Sequence, residues 1–103
     1  MAPELTAGEF EEFIKEGNVM IDFFADWCMP CMMMSPIIDE MAEKFEGKIK
    51  IGKVDVGENE EIAKKFNISS IPALVFLKDG KVVDQHAGSI PAEELEEKLN
   101  SFN

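Results

Sequence analysis

Long apolar runs are missing from this 103-residue chain. None approaches the ~20 residues that a helix needs to cross a bilayer. Met1 to Gly17 is acidic and offers neither a basic start nor an apolar stretch of the secretory kind, so a cytoplasmic location is expected. Basic residues are scarce: 10 Lys and Arg stand against 21 Asp and Glu, for a net charge of −11. Such a surface repels the phosphates of nucleic acids and of anionic membranes, which turns expectation toward protein or small-molecule partners. Histidine is reduced to His86, and cysteine to the pair Cys28 and Cys31. Zinc takes four ligands, and the chain has neither a second cysteine pair nor a second histidine to supply them. Repeats, low-complexity tracts and linkers are also missing, so residues 1–103 read as one domain.

What is present is enough for a core. Apolar residues make up 46% of the chain, which argues against wholesale disorder. Their spacing changes period along the sequence. Phe10, Phe13 and Ile14 repeat at helical spacing within Glu9 to Glu16, with Thr6 and Glu9 placed as a capping box and Gly17 as a stop. Val19 to Ala25 is apolar apart from Asp22 and reads as a strand buried on both faces. Pro30 to Phe45 is helical again, with Met34, Ile37, Ile38, Met41 and Phe45 inward and Pro36 expected to kink it. Ile49 to Val56 reads as a strand, and Asn59 to Phe66 as a short charged helix. Ala73 to Leu77 and Val82 to His86 flank Asp79-Gly80, a tight-turn signal, so they form a hairpin. Ala92 to Phe102 closes the chain as a helix, with Leu95, Leu99 and Phe102 inward. Strand–helix–strand units followed by a hairpin imply an α/β fold: a mixed sheet of four to five strands with helices on both faces.

Cys28 and Cys31 fall where the first strand ends and the long helix begins. Residues three apart on a helical turn have Cα atoms roughly 5–6 Å apart, a separation that a disulfide tolerates. Cys28 lies at the helix N-terminus, where unpaired N–H groups and the macrodipole favour a thiolate. Cys31 lies one turn inside and is expected to be shielded. Attack by Cys28 on a disulfide gives a mixed disulfide, which Cys31 resolves. Pro30 fixes the backbone of the first turn without removing a needed donor. Two inert core cysteines, or a metal held with the help of a partner subunit, are the alternatives.

Around these cysteines the sequence resembles the thioredoxin family, and the likeness runs through nearly the whole chain. It is carried by Ile21-Asp22-Phe23-Phe24-Ala25, Asp26-Trp27-Cys28-Met29-Pro30-Cys31 and Ser35-Pro36, then by Lys53-Val54-Asp55, Ile71-Pro72-Ala73, Lys78-Asp79-Gly80 and Gly88. The resemblance implies a thioredoxin fold and a thiol–disulfide oxidoreductase, a general protein-disulfide reductase whose only redox group is the Cys28–Cys31 pair. It further implies that Cys28 attacks, that Cys31 resolves, and that Asp22 is a buried acid handling the proton of Cys31, with Lys53 beside it. Trp27, Ile71, Pro72 and Gly88 match the client-binding surface, and Met29 and Pro30, between the cysteines, are expected to belong to it. Pro72 matches a cis-proline, although an average X–Pro bond is cis only about 5–6% of the time. Partners implied are disulfide-containing client proteins and a thioredoxin reductase or equivalent donor; a monomer is expected.

Read by itself, Asp22 is the one charge in an apolar strand: buried, its pKa rises toward a useful range, and at a strand edge it merely faces solvent. Lys53 alone reads equally as a snorkelling strand lysine. Met29 replaces the glycine usual between the cysteines, which leaves an oxidase or isomerase as the alternative activity. Phe24 and Ala73 stand where tryptophan and threonine are common, and the segment Ala2 to Thr6 is short for the family's first strand. Met33 and Met34 are expected in the core. Met29 and Met32 are either chance surface residues or a soft docking surface for varied partners. His86 and the Glu93 to Glu97 run read as surface.

Overall fold

A computed structural model describes residues 1–102. The elements follow in the expected order: α1 (Ala7–Ile14), β1 (Asn18–Phe24), α2 (Met29–Lys44), β2 (Lys50–Asp55), α3 (Glu60–Lys65), β3 (Ala73–Lys78), β4 (Lys81–Ala87) and α4 (Ala92–Phe102). α1 begins two residues earlier than the apolar spacing suggests because its cap acts where the sequence puts it. The Glu9 carboxylate accepts from the Thr6 N–H at 2.9 Å and from its hydroxyl at 3.0 Å, so Ala7 is already helical. α2 runs through Pro36 as one element.

The four strands lie in the order β2-β1-β3-β4. β1 runs parallel to β2 and antiparallel to β3, and β3 and β4 form the hairpin. Asp79 and Gly80 both take positive φ, 49° and 84°, the backbone of a two-residue hairpin turn and one that glycine adopts without cost. The turn is also pinned from outside. Asp79 Oδ1 accepts from the Gly17 N–H at 2.8 Å, and the Asp79 N–H donates back to the Gly17 carbonyl at 3.0 Å.

Side-chain alternation on the central strands divides the core in two. Val19, Ile21 and Phe23 of β1, with Val75 and Leu77 of β3, pack against Phe10 and Ile14 of α1 and against Phe66. Met20, Leu74 and Phe76 pack on the opposite face, against Met34, Ile38 and Met41 of α2 and Leu95 and Leu99 of α4. Helices therefore cover both faces. Asp22 shares the α2 face with Met20, by the same alternation.

The short N-terminal segment yields no full strand. It contributes one parallel bridge, Glu4 with Lys53, in which the Leu5 N–H donates to the Lys53 carbonyl and the Lys53 N–H to the Pro3 carbonyl, both at 2.8 Å. One core assignment is corrected. Met33 is 72% exposed, while Met34 is 2% exposed. Met34 keeps the helical phase of Ile38 and Met41, and Met33, one position back, is turned about 100° away from it.

Candidate functional site

β1 ends at Phe24, and the chain turns through Ala25 to Trp27 before α2 starts. Cys28 is the N-cap of α2, with extended backbone, and its Sγ accepts from the Cys31 N–H at 3.2 Å. The cap position thus gives the sulfur of Cys28 one of the donors that the first helical turn leaves free. The two cysteines are joined as a disulfide with Cα atoms 5.3 Å apart. Both are buried, at 6% and 3% exposure. The expected difference in shielding is therefore slight while the bond is closed. Pro30 occupies the first turn, and Met29, the first helical residue, is exposed.

Behind the disulfide, Asp22 is 2% exposed, which removes the solvent-facing alternative. Its Oδ1 has no hydrogen-bond partner among the described residues. Burial pushes its carboxyl up from 3.8 to about 7, an effect that Lys53 opposes and Asp39 reinforces. Lys53 is paired with Asp22 in the parallel register of β1 and β2. Its ammonium nevertheless donates to Ser35 Oγ at 2.8 Å and lies 3.2 Å from Asp39 Oδ1. Asp39 Oδ1 also accepts from the Ala2 N–H at 3.1 Å. Burial would raise the Asp39 carboxyl, but the Ala2 N–H and the Lys53 ammonium outweigh it and hold the group below the usual range. Asp22, Cys31, Ser35, Lys53 and Glu4 line one cavity of about 280 Å³.

The sequence motifs take in Ser35 but not Asp39. A signal for it is present all the same: Cys31, Ser35 and Asp39 are spaced by four on α2, which puts them on one helix face pointing at β1 and β2.

Four exposed apolar side chains flank the two cysteines in the sequence. Trp27, Met29, Met32 and Met33 are 79%, 65%, 58% and 72% exposed. Ile71 packs against the group formed by Ala25, Cys28 and Cys31. Trp27 and Ile71 border a shallow depression of about 170 Å³ with Val56, Ile68, Ser69 and Ser70. The Ile71–Pro72 bond is cis. The Pro72 carbonyl accepts from the Gly88 N–H at 2.8 Å, and Gly88 has a φ of 93°. A Cβ placed on Gly88 would meet nothing within 4 Å and would stand out from the surface. A larger groove of about 500 Å³, between β4 and α4, is lined by Val83, Asp84, Glu94, Lys98 and Ser101 and contains neither cysteine. No described helix is long and apolar enough to cross a membrane.

A family model described as Thioredoxin matches residues 2–101. A thioredoxin of Listeria monocytogenes is 43% identical over 102 residues, covering 99% of both chains. The Bacillus subtilis thioredoxin is 44% identical over 95 residues, 92% of this chain and 91% of its own. A thioredoxin of Chlorobaculum thiosulfatiphilum is 41% identical over 99 residues, 94% of this chain and 92% of its own.

Proposed function

Because the chain belongs to the thioredoxin family, and is thereby a thiol–disulfide oxidoreductase that reduces protein disulfides, we propose how its own residues divide that work. The Cys28–Cys31 pair is the sole redox group. In the reduced protein the Cys28 thiolate attacks one sulfur of a client disulfide. A Cys28–client disulfide forms, and the client's other sulfur leaves as a thiolate and takes a proton. Cys31 then gives its proton to the Asp22 carboxylate across the cavity they share, and its thiolate attacks Cys28 Sγ. The Cys28–Cys31 disulfide closes, the second client sulfur departs and is protonated, and two electrons have passed to the client. Asp22 is buried, leaves its Oδ1 unpartnered among the described residues and shares a cavity with Cys31, which is the observation that carries its assignment; burial pushes the carboxyl up to about 7, where it can both accept and return that proton.

Trp27, Met29, Pro30, Ile71, Pro72 and Gly88 form the docking surface. Ile71 packs against the cysteine pair, and an extended client segment would pair with its backbone. Electrons reach the disulfide from a thioredoxin reductase or an equivalent dithiol donor. The protein acts as a monomer in the cytoplasm, where thiols are kept reduced. Its exposed large apolar side chains gather mainly at Trp27, Met29, Met32 and Met33, where clients dock.

The test is the reduction potential of the pair, measured by equilibration against defined thiol buffers. A value well below the cytosolic glutathione poise, roughly −220 to −260 mV by extraction, agrees with a reductase. A value well above it would mean that Met29 has turned the scaffold toward oxidation or isomerisation.

A further inference from the structure

We propose that Asp39 is a positioning residue: by drawing the Lys53 ammonium onto itself and Ser35, it keeps that cation from pairing with Asp22. The inference rests on the reading of Asp22 as the group that handles the Cys31 proton. Its foundation is a mismatch in the geometry. Lys53 and Asp22 are register partners on adjacent strands, the arrangement in which a lysine would be expected to neutralise a buried carboxylate. The ammonium instead sits 2.8 Å from Ser35 Oγ and 3.2 Å from Asp39 Oδ1, while Asp22 Oδ1 has no partner among the described residues.

A second anchor keeps Asp39 in place. The same Oδ1 accepts from the Ala2 N–H at 3.1 Å, and the N-terminal stub is itself bonded to the backbone of Lys53 on both sides. Backbone and side chain of Lys53 are thus held by one connected set of bonds that leaves Asp22 out. The other titratable groups facing Asp22 are Cys31 from α2, Glu4 from the stub and Asp26 from the loop after β1. Glu4 and Asp26 are themselves acids, so among the described residues Lys53 is the only cation able to pair with Asp22 across this cavity. Where Asp39 holds it therefore decides how readily Asp22 gives up its proton. Asp39 also raises the Asp22 carboxyl directly by its own charge, so the effect through Lys53 must be separated from that one.

The test is Asp39→Asn, with and without Lys53→Met. Asparagine keeps an acceptor for the Ala2 N–H, so the stub remains tied while the charge is lost. Asp22 is followed directly by its carboxyl carbon resonance in the disulfide form, a readout independent of activity. In Asp39→Asn the titration midpoint of Asp22 should fall by about one pH unit, a tenfold change in proton affinity. In the Lys53→Met background the same substitution should move it far less. A midpoint that stays put overturns the proposal. An equal fall in both backgrounds also overturns it, because Asp39 would then act by its own charge and not through Lys53. Thiol-exchange rates against pH supply the remaining arm: the acid limb should follow the Asp22 midpoint downward. If the midpoint falls and the limb does not follow, the positioning stands and the proton-handling reading of Asp22 fails.

Discussion

Replacing Asp22 by asparagine should make the protein more stable at neutral pH while slowing its chemistry. The folded carboxyl titrates near 7 and the ordinary one near 3.8. Below 3.8 the group is protonated in both states and its ionisation has no bearing on folding. As pH rises from 3.8 toward 7 the unfolded chain loses this proton first, so the folded state is progressively disfavoured. Above that window the loss is complete. A gap from 3.8 to about 7 corresponds to about 4 kcal/mol. The asparagine side chain has no proton to lose, so the variant should recover up to about 4 kcal/mol at about pH 8.5 and under about 2 kcal/mol at about pH 5. For a domain of this size the urea midpoint would rise by about 2 M at the higher pH. Urea melts of the disulfide form, where neither cysteine titrates, measure the difference. An equal gain at both pH values, or none at the higher one, would refute the argument that an ionisable buried carboxylate opposes folding here. If Asp22 accepts the Cys31 proton as proposed, thiol exchange should slow as well, typically by a factor of about 10² or more for a general base.

Three other outcomes follow from the site. Cys31→Ser should accumulate Cys28–client mixed disulfides, visible as higher-mass species on non-reducing gels that dithiothreitol collapses; their absence would point to attack by the wrong sulfur. Met29→Ala with Met32→Ala should raise KM for protein clients several-fold and leave the melting temperature nearly unchanged, since both side chains are exposed; unchanged kinetics across several clients would remove these thioethers from docking. Gly88→Val should cost about 1–2 kcal/mol of stability, because a β-branched residue must adopt a φ of 93°, and should weaken client capture by raising a side chain from the docking face. Calorimetry and mixed-disulfide yield would separate those two effects.

The order of elements was legible because the apolar period switches cleanly between 3.6 and 2 along the chain, and the hairpin because Asp79-Gly80 matches the backbone of its turn. Asp22 stood out because a lone carboxylate in a two-sided apolar strand has nowhere polar to face. Local pattern was a weaker guide where the answer lies in long-range contacts. The cis bond before Pro72 follows from the family resemblance and not from the Ile-Pro dipeptide. Met33 sits in a run of methionines, where composition says core and only the helical phase says surface. Lys53 read equally well as a snorkelling residue because its partners, Ser35 and Asp39, come from α2 and not from its own strand. Their spacing of four after Cys31 was present in the sequence, but it acquires meaning only once β2 is known to lie beside β1.

The single bridge at Glu4 has a bearing on solubility. A sheet of four strands presents two outer edges, and an open edge is a template on which another chain can extend the sheet and aggregate. On the β4 side the edge is exposed: Lys81, Asp84 and Gln85 place charge and polarity beside the exposed Val82 and Val83, and an irregularity in the β3–β4 register interrupts its regular run. On the β2 side the backbone bonds of Lys53 are already taken by Pro3 and Leu5, and Leu5 is buried. So short a stub closes the centre of an edge that would otherwise invite a stranger, and the same few residues that help to hold Lys53 near the redox centre also guard the sheet against polymerisation.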